Sequence, residues 1–131
     1  MSERIFVFGS NLAGVHGAGS AKAAAQKHGA KRGVGVGPTG NAYAIPTKAT
    51  WRSKALTLME IQTYVWDFIV YARQHPSLTF DVVRIGCGLA GYEDAQIAPL
   101  FKGAPDNVNL PFGWRELPAS LVPDPTGAPH E

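Results

Sequence analysis

Lys48 stands directly after Thr47, where the strand-forming run Tyr43-Ala-Ile-Pro46 gives way to polar sequence. A lysine at a strand end is most often a solvated surface charge, but an amine held in a pocket can lose its proton and attack a sugar aldehyde. Two glycine-rich segments could hold the rest of such a substrate. The first is Gly14-Val-His-Gly17-Ala-Gly19-Ser20 and the second is Ile85-Gly86-Cys87-Gly88-Leu89-Ala90-Gly91-Tyr92. Glycine lets backbone N–H groups approach a phosphate with no Cβ in the way, and a helix starting after the loop adds its dipole. The first segment has neither P-loop nor strict dinucleotide-fingerprint spacing, so by itself a plain tight turn explains it as well. As a pair on neighbouring strand ends, the two loops could grip one elongated phosphate ligand from both sides.

Other reactive residue types have plainer explanations. Cys87 reads as a small hydrophobe under its loop, because no histidine or lysine near it in sequence is placed to activate a thiolate. Thr50-Trp51-Arg52-Ser53-Lys54 sets an aromatic ring among cations, which could stack a base and neutralise phosphates, although a loop tryptophan packed on its own domain is commoner. His16 is kept as a candidate by its place inside the first glycine loop, while Lys22, Lys27, Lys31 and Arg32 read as a solvated face.

Composition limits what these residues can serve. A chain of 131 residues with 45% hydrophobic and 17% charged residues is expected to fold around a single core. Twelve Lys and Arg against ten Asp and Glu leave +2, too little for a general polyanion-binding field, so any nucleic-acid contact must be local. One cysteine excludes an internal disulfide, and none of the four histidines pairs with another ligand at short spacing, so no metal and no cofactor are expected. Four apolar residues before Gly9 fall far short of a signal peptide core or a membrane span, so a cytoplasmic protein with no membrane partner is expected.

The elements that would position the site follow from periodicity. Arg4 to Phe8 reads as a buried strand, Ser20 to His28 as a helix beginning near Gly19, residues 31–41 as a flexible stretch, and Ala42 to Pro46 as a second strand. Leu58, Ile61, Val65, Phe68, Ile69 and Ala72 share one helical face; Thr57 with Glu60 forms a capping box and Leu56 with Ile61 a staple. Phe80 to Ile85 reads as a strand, Asp94 to Phe101 as a short helix, and Asn107 to Leu110 as a last strand. A folded domain over 1–117 and a proline-rich, loosely ordered tail over 118–131 complete the expectation. Strands alternating with helices indicate an α/β sandwich whose site lies at the carboxyl ends of strands.

In this order, Asn11, Gly17-Ala-Gly19-Ser-Ala21, Ile45-Pro-Thr47-Lys48 and Arg84-Ile-Gly-Cys-Gly-Leu89 resemble the macrodomain family of ADP-ribose-binding proteins. The likeness runs through residues 11–21, 43–54 and 83–101. It is nearest to the branch that holds the terminal ADP-ribose glycohydrolase and the antitoxin macrodomains that remove ADP-ribose from DNA thymidine. The DNA-directed members also resemble this chain in Trp51-Arg52 and Lys54 following Thr47-Lys48.

The resemblance implies a macrodomain-like three-layer α/β/α sandwich with a central mixed sheet. It implies that ADP-ribose lies with its diphosphate between the loop of His16, Gly17, Ala18, Gly19 and Ser20 and the loop of Gly86, Cys87, Gly88, Leu89, Ala90, Gly91 and Tyr92. The distal ribose would then lie near Asn11, Thr47 and Lys48, with Lys48 and Asn11 catalytic. In the family the matching lysine attacks the anomeric carbon after ribose ring opening. It attacks as a neutral amine, which requires burial, here against Tyr43, Ile45 and the glycine loops. Trp51, Arg52 and Lys54 become candidate contacts to ADP-ribosylated DNA.

Two departures stand out. The glycohydrolase branch has an acidic residue where this chain has Ala90, as small as in the DNA-directed members, which leaves Glu93 or Asp94 as a substitute carboxylate and His16 as a proton relay. Macrodomains usually begin with a strand and a Gly-Asp that contacts adenine, whereas here Ile5-Phe-Val-Phe-Gly-Ser-Asn comes first; Phe112 and Trp114 are candidates either for stacking a base or for plugging the core edge. The resulting expectation is an ADP-ribosyl hydrolase, and the alternative is a non-catalytic binder of ADP-ribose or a related nucleotide, such as a reader or a sequestering protein in bacterial or phage conflict.

Overall fold

The computed structural model describes residues 3–88 and 90–116. Five strands form one sheet: β1 Arg4–Asn11, β2 Gly37–Thr39, β3 Ala42–Lys48, β4 Thr79–Val82 and β5 Val108–Asn109. Their order is β2-β3-β1-β4-β5, with β2 antiparallel to β3 and the other pairs parallel. Three helices accompany them: α1 Gly19–Lys27, α2 Leu58–Gln74 and α3 Asp94–Ile97, with short 3-10 turns at Ala98–Phe101 and Trp114–Glu116.

Alternation along the strands sorts residues to two faces and so makes three layers. Ile5, Val7, Tyr43, Ile45, Phe80 and Val82 join one buried cluster with Ile61, Val65, Phe68, Ile69 and Ala72 of α2. Phe8, Ala42 and Ala44 point the other way, onto Ala21 and Ala24 of α1. That second layer is thin. Alanines on both sides let α1 approach the sheet closely around the buried ring of Phe8, with Phe6 packed at the edge of the same cluster.

The start of α2 follows the expected signals. Thr57 Oγ1 accepts from the Glu60 N–H at 3.1 Å, Glu60 Oε1 accepts from the Thr57 N–H at 3.0 Å, and Leu56 and Ile61 are both buried in the same cluster. The hydrogen bonds from Thr57 hold the Glu60 carboxyl below the usual carboxylate range. Thr57→Ala is expected to cost about 1 kcal/mol, the usual worth of an N-cap. Urea denaturation with an unchanged slope would measure it.

Several boundaries differ from those expected. β1 continues past Phe8 to Asn11, because Gly9 and Ser10 still pair with Ile45 and Pro46 before the register shifts at Asn11. The stretch 31–41 contains the edge strand β2, where Pro38 faces Tyr43 without disrupting a central ladder. β4 ends at Val82 because the chain turns beyond it, with the Ile85 N–H donating to the Val83 carbonyl. The helix expected over 94–101 changes to 3-10 at Ala98, where Pro99 lacks the N–H an α-helix would use. β5 is two residues long. The boundary expected at 117 and the tail from 118 lie outside the described residues. Among the described residues no helix is long and apolar enough to cross a membrane.

Candidate functional site

The carboxyl ends of β1, β3 and β4 open into one cleft of about 1040 Å³. The first glycine loop forms one wall through Gly17, Ala18, Gly19 and Ser20. These residues lead into α1, whose N-cap, Ala18, offers no side-chain hydrogen bond and whose first turn carries no acidic residue. The first backbone bond into this turn runs from the Lys22 N–H to the Ala18 carbonyl at 3.2 Å. The N–H groups of Gly19, Ser20 and Ala21 precede it, so they and the positive end of the helix dipole are left for an anion.

The second loop faces them with Gly86, Cys87, Gly88 and Ala90. Turn bonds from the Cys87 N–H to the Arg84 carbonyl and from the Tyr92 N–H to the Gly86 carbonyl shape it. Gly86 has φ +79°, a left-handed conformation that favours glycine, and a Cβ there would lie 2.9 Å from Ile97 Cδ1, which would have to move. Tyr92 anchors the far end from outside the cleft by donating its hydroxyl to the Leu56 carbonyl at 2.6 Å. Gly91 does not line the cleft, and Leu89 lies outside the described residues.

Lys48, Thr47 and Asn11 come together at the floor and side of the cleft. Lys48 is half-buried, and its Nζ donates to the Trp51 carbonyl at 2.9 Å. Tyr43 and Ile45 do not surround it. Both belong to the core under α2, where the Tyr43 ring meets Phe68 and Tyr71, and burial followed by the charge of Asp67 pushes its phenol up to about 12. Lys48 instead lies beside Asn11 at the end of β1 and reaches the Trp51 carbonyl. Asn11 spends both ends of its amide on Val15, donating to the carbonyl at 2.9 Å and accepting from the N–H at 3.1 Å. That geometry makes it the organiser of the first loop.

His16 stays out of the cleft. Its ring stands edge-on to Phe8 at 5.4 Å, and Nε2 lies 3.0 Å from the Lys31 carbonyl, which can only accept and so fixes the proton on Nε2. Cys87 is a neutral thiol. Burial first, and then the neighbouring Asp94 carboxylate, push it up to about 11. Its Sγ approaches Asp94 Oδ1 at 3.6 Å.

Trp51 lines the rim of the cleft and remains 55% exposed, with the Arg52 guanidinium 4.3 Å above its ring. The turn that carries it is stitched by Thr50 Oγ1, which accepts from the Ser53 N–H at 3.1 Å. Arg52 and Lys54 are exposed beside the cleft without lining it. Trp114 is buried against Phe101 and donates Nε1 to Asp94 at 2.9 Å, so it plugs the core edge; Phe112 is fully exposed. Glu93 and Asp94 lie outside the cleft, and no carboxylate lines it among the described residues. No group of three or more potential metal ligands occurs among them either.

Ser10 and Arg84, to which the sequence assigned no ligand role, also line the cleft. Ser10 immediately precedes Asn11 at the end of β1, and Arg84 opens the Arg84-Ile-Gly-Cys-Gly-Leu89 motif, so adjacency to known motif residues was the available signal.

No family model and no curated protein matches the chain. Among solved structures it is similar to Thermosipho africanus DarTG in complex with ADP-ribose, with a TM-score of 0.56 and 17% identity. The match covers 84% of this chain and 36% of that one, so the chain spans little more than a third of the length of its neighbour. The shared architecture is the macrodomain-like α/β/α sandwich with a mixed central sheet that the motif order implies.

Proposed function

We propose that the chain binds ADP-ribose in this cleft and removes it from modified nucleic acid or protein, with Lys48 as the nucleophile. The observation that carries the reading is that two glycine loops face one cleft, one of them opening an uncapped helix, with Lys48 in the same cleft. The neighbour's fold, solved with ADP-ribose, supports it. The diphosphate lies between the loops and the distal ribose beside Lys48. As the ribose ring opens, the bond from its anomeric carbon to the ring oxygen breaks and that oxygen takes a proton from solvent. The neutral amine adds to the anomeric carbon, and the modified group departs with a proton the amine gives up, leaving a protonated imine. Water then releases the imine, restoring the lysine and yielding free ADP-ribose.

A second reading, a non-catalytic ADP-ribose binder, is favoured by one feature. No carboxylate lines the cleft among the described residues, which leaves protonation of the ring oxygen during ring opening without a side-chain acid. Titration with ADP-ribose, against AMP and NAD, tests what both readings share. Micromolar binding, about 8 kcal/mol, is expected for ADP-ribose, and no detectable heat at high ligand would reject both. Release of ADP-ribose from modified DNA or protein then separates enzyme from binder. The exposed Trp51 on the rim favours DNA, because an aromatic face can stack a base of the modified strand.

A further inference from the structure

We propose that Arg84 contacts the anionic part of the ligand in the cleft, and that Asp94 is the positioning residue that aims it. Lys48 and Arg84 are the two charged residues lining the cleft among the described residues. Lys48 already donates to a backbone carbonyl. Arg84 is held differently. Its Nε donates to Asp94 Oδ1 at 2.9 Å and its Nη2 to Oδ2 at 2.9 Å, a two-point grip on one edge of the guanidinium.

A guanidinium carries five N–H groups in a rigid plane, arranged as two forks that share Nη2. Asp94 occupies the side fork of Nε and Nη2. The end fork, one hydrogen of Nη1 and the second of Nη2, has no partner among the described residues. The side chain of Arg84 is 62% exposed, so this fork is open to a ligand. It matches the spacing of two phosphate oxygens, which a lysine ammonium cannot do as a point charge.

Asp94 is itself immobilised. It is the first residue of α3, and besides Arg84 it accepts Trp114 Nε1 at 2.9 Å, which ties it to the buried edge of the core. The Arg84 and Trp114 bonds, in that order of weight, hold its carboxyl below the usual carboxylate range. Arg84 therefore presents a preset fork at the start of the second glycine loop, with little rotamer freedom left to lose on binding. The partner carboxylate cancels most of its net charge, so the contribution is one of direction.

This opposition gives the test its sign. The role assigned to Arg84 rests on an anionic ligand in the cleft, so ADP-ribose and inorganic pyrophosphate are both titrated, into the wild type and into Arg84→Gln, Arg84→Lys and Asp94→Asn. Thermal midpoints first establish that each variant is folded; in Asp94→Asn the amide oxygen can still accept from Trp114. Arg84→Gln is expected to weaken both ligands by about tenfold or more, and Arg84→Lys, which keeps the charge and loses the fork, by several-fold. Asp94→Asn raises the net charge by one yet is expected to weaken binding, because the fork is no longer aimed.

Unchanged affinity in Arg84→Gln overturns the contact, and tighter binding in Asp94→Asn overturns the positioning role in favour of simple charge. Wild-type binding of pyrophosphate without ADP-ribose, lost in Arg84→Gln, supports the Arg84 contact while rejecting the ADP-ribose reading. Binding of neither ligand overturns both.

Discussion

Lys48→Ala is expected to lower turnover of an ADP-ribosylated substrate on the order of a thousandfold or more while ADP-ribose affinity changes by no more than a few-fold. The two readouts separate because they depend on different walls of the cleft. In the proposed binding mode the diphosphate is gripped by backbone N–H groups around Gly19 and by the second glycine loop, neither of which the substitution touches. Removing the amine deletes the atom that, in the proposed mechanism, forms the new bond to the anomeric carbon. Trapping with cyanoborohydride is an independent check, since it reduces an imine between Lys48 and the open ribose to a stable adduct that mass spectrometry can locate. Full turnover in Lys48→Ala would remove Lys48 from the mechanism, and a parallel loss of turnover and binding would make it a ligand contact.

The rest state of Lys48 adds a condition. Its Nζ donates an N–H to the Trp51 carbonyl, a bond that leaves the lone pair of a neutral amine free and fixes the direction in which it points. Trp51 is on the same rim turn that a modified base would meet. A substrate that stacks on Trp51 would thus act on the residue that orients the proposed nucleophile, and Trp51→Ala provides a useful companion to Lys48→Ala on DNA substrates.

What could be read from sequence was what depends on local spacing. The capping box of α2 needs residues three apart, and each glycine loop is a continuous run flanked by a strand and a helix, so their places in the fold follow from the chain's own order. Interactions across the fold could not be read this way. Arg84, Asp94 and Trp114 converge from the end of a strand, the start of a helix and a turn beyond β5, and no periodicity links them. His16 has the same limit in reverse. Its position within the first loop suggested a ligand contact, but ring direction is decided by Phe8 and Lys31, which belong to other segments. For Trp114 the choice between base stacking and core packing needed its burial against Phe101.

The segment 31–41 was the most misleading, because its glycines suggested flexibility where they allow contact. Gly35→Ala is therefore expected to destabilise the fold by roughly 3 kcal/mol, at the upper end of overpacking costs. A Cβ on Gly35 would lie 2.2 Å from the Asn11 carbonyl oxygen and 2.8 Å from that of Leu12, both backbone atoms that cannot rotate aside. The same seam is locked from its other side. Gly14, at φ +72°, would place a Cβ 2.4 Å from the Gly33 carbonyl carbon, and the Ser10 hydroxyl donates to the Gly35 carbonyl. Two backbones thus lie against each other with no side chain between them, directly behind the strand end that presents Ser10 and Asn11 to the cleft. Relief of the clash through Asn11 displaces the Val15 bonds that shape the first glycine loop. The substitution should accordingly lower the denaturation midpoint and weaken ADP-ribose even where the protein remains folded. A lowered midpoint with wild-type affinity would mean that the loop holds its shape independently of the backbone behind it.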